Sequence, residues 1–140
     1  YQCVCGTLDI DVVDVIYDSR RVVPGSMFVC IPGAKIDGHI YAKDAVKAGA
    51  DYLGVGAMFP TGTKPDAGFV SMEELGRIRK AVDIPIVVIG GISKENAMLF
   101  QPMGIDGLAV VSAVIAQPDI KKSAADLKSL FFGKEAVNEL

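Results

Sequence analysis

The chain has 140 residues, 51% of them hydrophobic and 22% charged, a balance that excludes a disordered polymer and fits one compact domain with a sizeable core. Its net charge of −3 excludes the basic footprint expected of a binder of nucleic acid or of an anionic membrane. The longest apolar runs, IPIVVIGGI and GLAVVSAVIA, are broken by glycines and too short to span a bilayer.

The opening YQCVCGTLDI has neither the basic flank nor the apolar core of a secretory leader, so a cytoplasmic location is expected. The cysteines number three, an odd count that argues against a disulfide framework. Cys3 and Cys5 share one face if extended, and Cys30 with the sole histidine, His39, could join them at a metal. The C-x-C spacing is narrower than the usual ligand pair, so buried reduced thiols are expected and no metal site.

VVDVIYDS (12–19) alternates in part, and SMFVCI (26–31) is a short β-rich run between two Pro-Gly turn signals. IDGHIYAKDAVKAGA then predicts a helix with Ile40, Tyr41, Ala45 and Ala48 near one face. YLGVGAMF (52–59) reads as a buried strand, followed by the polar loop PTGTKPDAG. In SMEELGRIRKAV (71–82), Leu75, Ile78, Ala81 and Val82 have helical spacing, and Ser71 with Glu74 forms a capping box. IPIVVIG (84–90) predicts a strand buried on both faces, and SKENAMLFQPMG (93–104) a short helix. LAVVSAVI (108–115) reads as another buried strand and DIKKSAADLKSLFF (119–132) as a closing helix. Such β-α-β alternation makes parallel sheets through right-handed crossovers. The expected fold is therefore α/β: three layers, α/β/α, around a mostly parallel sheet of about four to six strands. Strands near 27–31, 52–57, 85–89 and 108–112 should be parallel, with one or two N-terminal strands at an edge.

In a parallel sheet the ligand site lies beyond the carboxyl ends of the strands. Three segments are expected there. Thr61-Gly62-Thr63-Lys64 places two hydroxyls and an ammonium on a short loop. Gly90 and Gly91 let backbone N–H groups approach an anion, with Ser93 capping the helix that follows. Val111 and Ser112 follow the last strand, and converging strand ends of this kind cradle phosphate in β/α barrels.

Residues from about 50 to 131 closely resemble the C-terminal part of thiamine-phosphate synthase, a (β/α)₈ barrel, through GADYLGVGAMFPTGTK, IPIVVIGGISKEN and GIDGLAVVSAVI. That family joins a pyrimidine diphosphate to a thiazole phosphate with loss of pyrophosphate and with magnesium bound. The resemblance implies that Thr61, Thr63, Gly91, Val111 and Ser112 contact thiazole phosphate and that Lys64 contacts the pyrimidine diphosphate. No segment before residue 50 resembles the family's pyrimidine and magnesium site. Magnesium is thus expected only if the synthase activity is intact, and Asp51 and Asp66 read as solvated loop carboxylates.

The first fifty residues, through YDSRRVVPGSMFVCIPGAKIDGHIYAKDAVKAGA, resemble the N-terminal domain of the Mur ligases, most closely UDP-N-acetylmuramoyl-tripeptide synthetase. That resemblance places Tyr17, Ser19, Ala34, Lys35 and Ile36 on positions that contact the UDP end of a substrate. The chain carries no G-x-x-x-x-G-K-[ST] phosphate loop for ligation.

Two resemblances meeting between Asp44 and Asp51 without a linker predict an engineered chimera: one α/β domain with a Mur-like 1–49 and a partial barrel over 50–140. Its expected function is non-catalytic, with a residual phosphate or anion site at Gly91 and Ser112 and no cofactor. A thiazole-phosphate transferase and a uridine-nucleotide module are the alternatives. The expected partners are phosphate or a small phosphorylated ligand, and either a monomer or an edge-paired dimer fits.

Overall fold

The computed structural model describes residues 12–31, 38–60 and 68–133. Five strands run through them: β1 (Asp14–Ile16), β2 (Ser26–Cys30), β3 (Ala50–Val55), β4 (Ile86–Ile89) and β5 (Gly107–Ala109). All pair in parallel, in the order β1-β2-β3-β4-β5. The helices are α1 (Ala42–Lys47), α2 (Met72–Ala81), α3 (Ser112–Ile115) and α4 (Ile120–Phe132), with a 3₁₀ segment at Ala97–Met103.

A strand order that never reverses, joined by right-handed crossovers, keeps every crossover on the same face of the sheet. Burial alternates accordingly. Phe28, Cys30, Leu53, Val55, Ile86 and Val88 are buried and form one core with Leu75 and Ile78 of α2 and Phe100 of the 3₁₀ segment. Each such aliphatic or aromatic side chain contributes about 1.5–3 kcal/mol by leaving water. The parallel α/β sheet expected from the sequence is the one that forms. Among the described residues, however, the helices cover one face only, so the second helical layer is not seen. This is the architecture of part of a singly wound β/α barrel.

The same asymmetry corrects β4, expected to be buried on both faces: Ile86 and Val88 are buried, but Val87 is half-buried and Ile89 exposed. The expected strand over 108–115 stops at Ala109, and Ser112–Ile115 turns into a helix instead. Between Ala97 and Met103 the helix is of the tighter 3₁₀ kind, with Pro102 inside it. In α1 the buried residues are Ala42 and Ala45, whereas Ile40 and Ala48 are exposed. The path from α1 to β3 passes through Gly49 at φ +100, where a Cβ would stand 3.1 Å from the Cα of Pro24. The positive φ demands glycine, and Pro24 leaves little room for a Cβ.

Local sequence explains the helices that position the rim. Ser71 caps α2, its hydroxyl accepting from the Glu74 N–H at 3.1 Å. The Glu74 carboxylate accepts from Arg77 (3.0 Å) rather than reaching back to Ser71. Asp119 caps α4 in the same way, accepting from the Lys122 N–H at 2.8 Å. At the C-terminal end of α2, Arg79 donates to the carbonyls of Val82 (2.7 Å) and Ile84 (3.0 Å) and to Asp106 (3.1 Å).

Candidate functional site: the carboxyl rim of the sheet

Because every strand is parallel, the loops after β1, β3, β4 and β5 leave from one rim. Ile89 pairs with Ala109, so Gly90-Gly91 and Val110-Val111-Ser112 emerge from neighbouring strand ends, about 4.8 Å apart. The loop after β3 is stitched to the loop after β4: Met58 N–H donates to the Ile89 carbonyl (3.0 Å) and Phe59 N–H to the Gly90 carbonyl (3.1 Å). Gly91 adopts φ +64, and a Cβ there would lie 2.7 Å from the carbonyl oxygens of both Phe59 and Pro60. Pro60, the last described residue of that loop, therefore lies directly beside Gly91.

The rim is braced from behind. Phe59 meets the buried Phe100 edge to face, with ring centroids 6.0 Å apart. Lys94 donates to Asp126 of α4 at 2.6 Å, tying the β4 loop to the last helix and holding the Asp126 carboxyl below its usual range. Ser93 does not cap a helix as expected. Its hydroxyl bonds the Glu95 carboxylate, which lowers the Glu95 pKa, and accepts the Glu95 N–H at 3.3 Å. The residue that holds the glycine loop is Asn96. Its Oδ1 accepts from the Ser93 N–H (2.8 Å) and its Nδ2 donates to the Gly91 carbonyl (2.9 Å). Sequence reasoning missed Asn96, although Ser-x-x-Asn after Gly-Gly was a readable signal for such a side-chain turn.

Gly91, Val111 and Ser112 thus lie on adjacent loops, with Val111 and Ser112 exposed. Thr61, Thr63 and Lys64 lie outside the described residues, as do Ala34, Lys35, Ile36, Cys3, Cys5 and Asp66. Asp51 is exposed on β3, as a solvated carboxylate would be. Tyr17 and Ser19 stand on the same rim at β1, three to four strand spacings from Gly91 and Ser112, about 14–19 Å. They do not join the glycine site. Tyr17 lines a small cleft of about 170 Å³ with Asp14, Asp18 and Arg21. Here Arg20 donates to Asp18 through its side chain and backbone, holding the Asp18 carboxyl at about 2. Cys30 is buried in the hydrophobic core, and His39 is buried as well. Among the described residues no group of three or more His, Cys, Asp or Glu could hold a metal ion. No described helix is long and apolar enough to cross a membrane.

A parallel β/α sheet of five strands in unreversed order is the architecture of part of a β/α barrel. Residues 16–114 match the family model described as thiamine monophosphate synthase, and the chain belongs to that family. It is 60% identical over 90 residues to thiamine-phosphate synthase of Clostridium beijerinckii, covering 64% of this chain and 43% of that protein. With the synthase of Ruminiclostridium cellulolyticum it shares 45% identity over 115 residues, 82% of this chain and 53% of that one. The solved thiamine phosphate pyrophosphorylase of Pyrococcus furiosus superposes with a TM-score of 0.61 at 42% identity, covering 67% of this chain and 45% of that chain. The chain spans about half the length of the curated relatives it matches.

These findings overturn the engineered, non-catalytic chimera. The family match runs unbroken from residue 16 to 114, straight across the seam expected between Asp44 and Asp51. A MurF ligase from Thermotoga maritima superposes with a TM-score of only 0.33 at 19% identity, too little to carry the Mur resemblance of residues 1–50. The expectation misjudged Gly49: helix-glycine-strand punctuation is common to all βα units, so it cannot mark a junction.

Proposed function

We propose that the chain serves the transferase reaction for which its relatives are named, by holding thiazole phosphate at the β3–β5 rim. There the phosphate is presented for joining to a pyrimidine diphosphate, with pyrophosphate as the leaving group. The observation that carries this reading is the packing of Gly91 against Phe59 and Pro60, beside the loop that bears Val111 and Ser112. A glycine at that turn puts no side chain between its backbone amide and an incoming anion. In this reading the Gly91 and Ser112 amides and the Ser112 hydroxyl bind phosphate oxygens, and the family resemblance adds Thr61 and Thr63 as phosphate contacts and Lys64 as the contact to the diphosphate. With no metal-holding cluster among the described residues, no step is assigned to magnesium, which enters as an assay condition.

Calorimetric titration with thiazole phosphate tests the binding, and pyrophosphate release from both precursors with magnesium tests the transfer. Ser112→Ala is expected to weaken binding by roughly tenfold, the loss of one hydrogen bond to a charged group. Lys64→Ala should slow transfer while sparing thiazole-phosphate binding. Absence of binding heat sinks the site, and binding without pyrophosphate release sinks the transferase reading.

A further inference from the structure

Gly91 stands between two peptide units, and glycine leaves both freer to rotate than any other residue would. The unit before it is anchored from the loop after β3, where Phe59 N–H donates to the Gly90 carbonyl at 3.1 Å. The unit after it is anchored by Asn96, whose Nδ2 donates to the Gly91 carbonyl at 2.9 Å. A trans peptide carries its oxygen and its amide hydrogen on opposite sides, so a bond to the carbonyl fixes the whole unit. Rotation of the second unit would free the Gly91 oxygen, the negative end of a peptide dipole. That oxygen belongs to the same residue as the amide that the site described above offers to phosphate.

Asn96 is itself firmly held. Its backbone N–H and that of the buried Ala97 both donate to the Ser93 carbonyl, at 3.3 and 2.9 Å. Its Oδ1 accepts from the Ser93 N–H at 2.8 Å. The side chain thus meets one donor and one acceptor, and a carboxamide satisfies both where a carboxylate satisfies only the donor. We propose that Asn96 is a positioning residue for anion binding, acting through Gly91 rather than on the phosphate. By keeping the Gly91 carbonyl committed to its own Nδ2, it holds the glycine turn in its binding form before the ligand arrives. The proposal rests on the phosphate site at Gly91 and adds the side chain that keeps that site ready.

Calorimetric titration of the full chain with thiazole phosphate, thermal unfolding, and amide NMR relaxation at Gly91 test it together. Asn96→Ala should bind roughly tenfold more weakly, since the ligand must then order a backbone residue that was held in advance. In the ligand-free protein, its Gly91 amide should pass from the order parameter of rigid backbone, about 0.85, to below about 0.6. Asn96→Asp keeps the acceptor for the Ser93 N–H, so its unfolding temperature should stay within about 2 °C of the unsubstituted chain. Its binding should nonetheless fall as in Asn96→Ala, a split that a merely structural role would not produce. That deficit should persist in about 1 M sodium chloride, measured against the unsubstituted chain in the same salt, because salt screens the added charge but does not restore the lost donor. If the unsubstituted chain binds and either variant binds equally well, the proposal is overturned while the phosphate site stands. An Asn96→Asp deficit that vanishes in salt overturns it too, as does a Gly91 amide equally rigid in Asn96→Ala. An unsubstituted chain that does not bind overturns the site and the proposal together.

Discussion

Gly91 and Phe59, 32 positions apart, are packed so closely that a Cβ on the glycine would lie 2.7 Å from both the Cβ and the carbonyl oxygen of the phenylalanine. The contact locks the loop after β4 to the loop after β3, and it does so at φ +64, where a side chain is strained even in open space. Gly91→Ala is expected to destabilise the fold by about 1–3 kcal/mol through strain and displaced backbone. It should also abolish thiazole-phosphate binding at temperatures where the variant is still folded. Thermal unfolding followed by titration of the folded variant checks this; unchanged binding would show that the loop does not shape the site.

Arg79 gathers the C-terminal end of α2 and the entries of β4 and β5. Its guanidinium serves the carbonyls of Val82 and Ile84 together with Asp106, whose carboxylate also accepts the Ile86 N–H at 2.8 Å. The Arg79 side chain is only 20% exposed, so its acceptors would not all be rehydrated after its removal. Arg79→Met should cost about 1–3 kcal/mol in urea unfolding, with an unchanged slope against denaturant. A loss below about 0.5 kcal/mol would mean that water replaces the guanidinium freely.

Ser71 supplies one helix cap, accepting from the Glu74 N–H. Ser71→Ala should lower stability by about 1 kcal/mol by leaving the Glu74 N–H without its acceptor. Phosphate binding at 25 °C should not change, which makes this variant the reference for Gly91→Ala. A binding defect in Ser71→Ala would mean that stability alone governs the site.

Acid should weaken the fold in a defined window. Asp18 titrates at about 2 in the folded chain, against about 3.9 for a free aspartate, and Asp126 is lowered as well by its bond to Lys94. A depressed folded value means that the unfolded chain takes up the proton first as pH falls. The stabilisation is therefore complete above about pH 4 and drains away towards pH 2. Both pairs are partly exposed, so the effect should be modest and should shrink with added salt. Asp18→Asn should flatten the acid limb of the unfolding profile, and an unaltered limb would remove Asp18 from the account.

Parallel strands, the cap at Ser71 and the glycine turn after β4 were all legible in the amino-acid order. Each depends on neighbours within a few positions: apolar runs for strands, an oxygen three residues before the amide it caps, glycine where φ is positive. The expected extension of LAVVSAVI into one strand failed because an apolar run has no period that separates buried strand from short helix. Asn96 escaped notice because its acceptor, Gly91, becomes a partner only once the loop has turned back. The supposed junction at Gly49 failed for a related reason, since local punctuation carries no information about ancestry.

What the sequence determined by itself is therefore the set of β/α units and the residues at their carboxyl ends. Only the tertiary structure decided which sheet face the helices would cover and which loops would touch. An apolar strand fits equally well with one face buried or two, and the number of faces covered depends on strand order. Val87 and Val88 are identical in type, yet one is half-buried on the open face and the other is sealed beneath the helices. The difference between them is set by an unreversed strand order with right-handed crossovers, a property of the assembled sheet and of no single segment.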